Sequence, residues 1–83
     1  MKTKQEEKLQ LLIKLTRISK PEIVEALRLY FIEGLSQRQS RIKAGASYDS
    51  AVAKAIKSVE SAMSTVDELA KYKNVKFSNN KSS

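Results

Sequence analysis

The sequence predicts an all-α protein, a small helical bundle containing a helix-turn-helix with a long C-terminal helix. Three observations predict it. Apolar residues recur at intervals of three and four along most of the chain, with no strand-like alternation between turn residues. Glycine and proline are scarce, so the backbone is interrupted only at Pro21, Gly34 and Gly45. Hydroxyl residues stand where helices would begin and glycines where they would end.

The first helix is expected over residues 4–16. Leu9, Leu12, Ile13 and Thr16 fall on one face, and Leu11 and Leu15 widen it. A helix this broadly apolar packs on something. The second opens at Ser19-Lys20-Pro21-Glu22, where Ser and Glu have capping-box spacing and Pro suits the first turn. Its apolar face is Ile23, Val24, Leu27, Tyr30 and Phe31, and Gly34 supplies the left-handed residue that ends it. The third is short, from a cap at Ser36 to Gly45, with Gln39 at the capping-box position and Ile42 as its one large apolar residue.

The fourth helix is expected to open at Ser47 and run to about Lys73. Val52, Ile56, Val59, Met63, Val66 and Ala70 form a heptad stripe along it. Some 25 residues at about 1.5 Å each give roughly 37 Å, longer than so small a globule needs. Residues 1–73 then form one domain, with the helix-turn-helix at about 36–57. Residues 74–83, rich in Asn, Ser and Lys, read as a disordered tail on which Val75 and Phe77 are candidate docking points.

Composition narrows the function. The chain has 83 residues and no cysteine, histidine or tryptophan. It therefore lacks a thiol nucleophile, the commonest general base and the usual ligands of transition metals. No enzyme, cofactor, metal site or small-molecule substrate is expected. No apolar run approaches the roughly 20 residues that span a bilayer, and the polar first residues do not resemble a signal peptide, so the expected location is the cytoplasm without membrane contact. The net charge of +7 favours a polyanionic partner.

That charge is unevenly placed. Residues 36–57 carry Arg38, Arg41, Lys43, Lys54 and Lys57 against Asp49 alone, a net of +4. Residues 1–35 carry a net of +2 and residues 58–83 a net of +1. A short helix, a glycine turn and a longer helix is the order in which the second helix offers its N-terminal residues to the major groove of double-stranded DNA. The candidate DNA contacts are Gln37, Arg38, Arg41, Lys43, Ser47, Tyr48, Ser50, Lys54 and Lys57. Ser47, Tyr48 and Ser50 stand where base edges would be read, and the cations suit phosphates. The basic residues also fit an ordinary solvated helix face, Tyr48 also fits a prop resting on Ile42, and Asp49 suits the dipole of the last helix. Ser40 occupies a position early in the short helix that is usually apolar, and Ala51 is small where a larger core residue is usual.

Residues 11–62 resemble the PapB-like regulators of adhesin biosynthesis, small bacterial DNA-binding proteins that control fimbrial operons. The resemblance lies in Leu11-Leu12-Ile13 and Ile18-Ser19, in Ile23-Val24-Glu25-Ala26-Leu27 with Tyr30-Phe31-Ile32, and in Gly34-Leu35-Ser36-Gln37-Arg38-Gln39 followed by the helix entered through Tyr48. It implies an all-helical fold, self-association on DNA and A/T-rich control-region targets. The chain departs from that pattern at Ser47, Asp49 and Gln37. Residues 34–59 also resemble plasmid repressors of the TrfB-like group, with a one-residue shift after Gly45.

A homodimer or higher homo-oligomer is expected, with Met63, Val66 and Ala70 at the contact, because an apolar stripe left bare costs solubility. The same stripe covered by the first helix of its own chain is the alternative. Two other functions remain open: a helical interaction module of antitoxin or inhibitor type, and an RNA-binding bundle, against which the five aromatic residues count.

Overall fold

The computed structural model describes residues 3–76, and among them there are four helices and no strand. Helix α1 is Lys4–Thr16, α2 Pro21–Phe31, α3 Gln37–Ala44 and α4 Asp49–Ala70.

Thr3 starts α1. Its Oγ1 accepts the Glu6 N–H at 3.1 Å, and its own N–H donates to the Glu6 carboxylate at 3.3 Å. This reciprocal capping box satisfies two of the donors that a helix start leaves free. Leu9, Leu12 and Ile13 are buried, and the Thr16 hydroxyl turns back to donate to the Ile13 carbonyl at 2.7 Å. Leu11 and Leu15 do not join this face, being 62% and 64% exposed. Two and six positions after Leu9 is the far side of a helix of 3.6 residues per turn. Arg17 ends α1 with φ 63°, a left-handed conformation that side chains with a Cβ adopt at a cost.

The Ser19–Glu22 capping box expected at α2 is not formed. Lys20 holds the cap position without a side-chain bond, and Pro21 is the first helical residue. The Lys20 carbonyl accepts from Ile23 and Val24, both at 3.0 Å. Proline fixes the start because its missing N–H has no partner to lose there, and this moves the start one residue past the serine. Ile23, Ala26, Leu27 and Leu29 are buried. Val24, Tyr30 and Phe31 are only half-buried, the two rings meeting edge to face at 5.0 Å. Gly34 takes φ 79°, and the Leu35 N–H reaches back to the Leu29 carbonyl at 3.1 Å.

Helices α1, α2 and α4 and the turn residue Ala46 supply one core, made of Leu9, Leu12, Ile13, Ile23, Ala26, Leu27, Ala46, Val52, Ala55, Ile56 and Val59, and Ala44 of α3 packs against it. Fully burying a side chain such as Leu27 contributes about 1.5–3 kcal/mol. Helix α2 packs on α3, α4 and α1, and α1 lies against α4. Leu15 and Thr16 border Lys57, Ser58, Ser61 and Ala62, while the earlier residues of α1 border Val66, so the two helices run antiparallel.

Helix α4 is shorter at both ends than expected. It opens at Asp49 and closes at Ala70, 22 residues or about 33 Å. Lys71 to Asn74 form a turn instead of further helix. The apolar stripe begins as expected, with Val52, Ile56 and Val59 buried. Met63 is half-buried beside Leu9, Leu12, Phe31 and Ile32, so α1 and α2 of its own chain cover it. From Ser64 onward every described residue is exposed, Val66 and Ala70 included. Val75 is 67% exposed and does not dock, and Phe77 lies outside the described residues. Among the described residues no helix is long and apolar enough to cross a membrane.

Candidate nucleic-acid interface

The corner between α3 and α4 is built from small residues and one ion pair. Ser36 caps α3, its Oγ accepting the Gln39 N–H at 3.1 Å. The buried side of α3 is Ser40, which has no exposed surface and lets α3 sit close on the core. Among the described residues its hydroxyl has no hydrogen-bond partner. At the far end Gly45 takes φ 78°. Its N–H donates to the Ile42 carbonyl at 3.2 Å and the Ala46 N–H to the Arg41 carbonyl at 3.1 Å. This double closure is a Schellman motif, and the buried Ala46 completes it as the apolar residue beyond the glycine.

Arg41 crosses the corner. Its guanidinium pairs with the Asp49 carboxylate in the first turn of α4 and donates to the Ala46 carbonyl at 3.1 Å. The Arg41 side chain retains only 22% of its exposure. Asp49 at that position also complements the positive end of the α4 dipole. Tyr48 supplies the extended backbone before α4 and caps nothing with its side chain.

The nine expected contact residues fall into two groups. Arg38, Lys43, Ser47, Tyr48, Ser50, Lys54 and Lys57 are exposed. Gln37 and Arg41 are half-buried, and Arg41 is held by the turn. Tyr48 is 70% exposed and Ile42 58%, so Tyr48 is not tucked into the fold. On α4, Ser50, Lys54 and Lys57 lie opposite the buried Val52, Ile56 and Val59. Lys57 stands at the edge of the cleft between α4 and α1, beside Leu15 and Thr16.

Two residues that sequence reasoning did not assign to this corner also reach its surface. Ile42 and Gln39 line a shallow groove with Leu35 and Lys43 on the outer side of α3. The signal was present: Ile42 stands two positions after Ser40, on the other side of the helix. A small buried residue and a large exposed one in that relation place the polar position inside.

The remaining ion pairs lie away from this corner. Arg28 on α2 bridges Glu25 at 2.8 Å and Glu33 at 3.1 Å. The hydrogen bond from Arg28 holds the Glu25 carboxyl below its ordinary range, and the two carboxylates strengthen the hold of Arg28 on its proton. Among the described residues no group of His, Cys, Asp or Glu is placed to hold a metal ion. No protein-family model matches the chain, and no curated protein or solved structure matches it either.

Proposed function

We propose that this protein is a sequence-specific DNA-binding transcriptional regulator that uses the α3–α4 corner as its helix-turn-helix. One observation carries the reading. Arg38, Lys43, Lys54 and Lys57 are exposed on the two helices flanking the corner, and no carboxylate pairs with any of them among the described residues. The one acid within residues 36–57, Asp49, is engaged by Arg41. Free cations beside a helix N-terminus suit a phosphate backbone, which gains affinity through released counterions.

Roles follow from position. Arg38, Lys43, Lys54 and Lys57 bind phosphates, and Ser47, Tyr48 and Ser50 at the tip of α4 read base edges. Arg41 holds the two helices in register. The choice of a fimbrial operon, and of A/T-rich control-region DNA, rests on the sequence resemblance to PapB-like regulators. Gel-shift titration on A/T-rich and G/C-rich duplexes tests the reading. Alanine at Ser47, Tyr48 or Ser50 should alter the selected sequence, because a mismatch at a read position costs roughly 1–3 kcal/mol. Failure to bind either duplex at low salt would contradict it.

A further inference from the structure

We infer that the face shared by α1 and the distal half of α4 docks a second copy of this chain, about a two-fold axis running along the two helices.

Eight large apolar side chains are exposed among the described residues, and four of them fall on these two helices: Leu11, Leu15, Val66 and Leu69. Leu11 and Leu15 line one groove with Val66. Leu69 follows Val66 by three positions on the helix and continues the row. Past Met63 no residue of α4 is buried, yet the helix runs to Ala70. A projecting helix end of this kind draws its stability from packing more than from propensity.

Charge selects the occupant. Residues 3–16 carry three lysines and two glutamates, a net of +1, and residues 58–76 carry three lysines and three acids, a net of zero. Against the +4 of residues 36–57 this is the part of the molecule least suited to a polyanion and least repelled by its own copy. Two helices side by side, together about 20 Å wide, project about 400 Å² along the roughly 20 Å of α1, the same order as the about 800 Å² of accessible surface per partner that stable dimers bury.

Charge also selects the axis. Lys4 and Lys8, with Glu7 between them in sequence, rim the groove on α1, a net of +1. Glu68, exposed and in a loose pair with Lys71 at 3.8 Å, follows by three positions Thr65, which borders Leu15. Because α1 and α4 are antiparallel, the lysine end of α1 is level with the distal end of α4. An axis along the helices stacks α1 on the second copy's α4 and sets Lys4 and Lys8 near the second copy's Glu68. An axis across them stacks α1 on α1 and brings these lysines toward Lys14 and Arg17. The first arrangement also leaves both α3–α4 corners at the same end of the dimer. That last point rests on the DNA-binding reading; the pairing itself does not.

Sedimentation equilibrium of the intact protein without DNA, at tens of micromolar, tests the pairing. The parent should be a dimer. Leu15→Lys combined with Leu69→Lys should be a monomer with unchanged helical circular dichroism, since both side chains are exposed in the single chain. Lys8→Glu and Glu68→Lys should each weaken the dimer, and their combination should restore it. A monomeric parent, or a dimeric double-leucine variant, would overturn the face; failure of the charge pair to restore dimerisation would overturn the axis. A monomer that still binds duplex DNA sinks only the pairing, whereas a dimer that ignores DNA sinks only the DNA-binding reading.

Discussion

The guanidinium of Arg41 pairs with the carboxylate of Asp49 across the turn between α3 and α4. Arg41 also donates to the Ala46 carbonyl, so one side chain ties the end of α3, the turn and the first turn of α4 together. Arg41→Ala should therefore lower stability by about 1 kcal/mol, the scale of one modest ion pair and one hydrogen bond. Arg38→Ala should leave stability unchanged, because that side chain is exposed and makes no ion pair among the described residues. Urea melts of the two variants check this, and equal midpoints would contradict the structural role of Arg41.

Ser40 is buried with its hydroxyl unpartnered among the described residues. Ser40→Ala should stabilise the protein by about 1 kcal/mol, because it removes an unsatisfied polar atom while preserving the close approach of α3 to the core. Ser40→Leu should destabilise by about 1–3 kcal/mol through overpacking. Thermal melts give both signs, and a destabilised alanine variant would show that the hydroxyl has a partner in solution.

Arg17 and Gly45 are both left-handed, at φ 63° and 78°. Arg17→Gly should raise stability by about 0.5–1 kcal/mol by relieving the Cβ clash, offset by the freer unfolded chain. Gly45→Ala should lower it by about 1 kcal/mol. Apart from its two chain neighbours, no heavy atom of the described residues lies within 4 Å of a Cβ at Gly45, so its loss would come from backbone conformation. Denaturant titration of both variants checks the pair of opposite signs.

Particular residues mark how far the fold was legible in the sequence. The faces of Leu9, Leu12, Ile13 and of Val52, Ile56, Val59 follow the period of the helix and were readable, as were the left-handed Gly34 and Gly45. The box at Thr3 and Glu6 has the same spacing as the one expected at Ser19 and Glu22, and only the first forms. Local pattern does not decide between a serine and the proline two residues on. The apolar stripe of α4 was legible but its depth was not. The chain's own α1 and α2 cover it at Met63, α1 flanks Val66 without burying it, and Ala70 is left exposed, a matter of where other helices end. At the candidate interface the charge excess was readable. The engagement of Arg41 was not, because it needs Asp49 brought across the turn.

Glu25 offers a test by pH. Its carboxyl is held below the ordinary carboxylate range by the hydrogen bond from Arg28. A lowered folded-state value means that the contribution is fully present above the unfolded value, about pH 4.3, and is lost as pH falls through the folded value. Glu25→Gln should therefore lower the melting temperature slightly at neutral pH and have no effect well below that range. The change should be small, since the pair is solvent-exposed. An effect of the same size at both ends of the pH range would contradict this assignment.

The central claim is that the cations flanking the α3–α4 corner bind the phosphate backbone of DNA, and the salt dependence of affinity tests it most directly. Duplex binding by fluorescence anisotropy, measured across a series of salt concentrations, should give a log–log slope of magnitude about 3 to 4 per copy if Arg38, Lys43, Lys54 and Lys57 each meet a phosphate. Arg38→Ala and Lys54→Ala should each weaken binding on all sequences and flatten the slope by about one unit. A parent slope near zero, or variants with the parent's affinity and slope, would contradict the account.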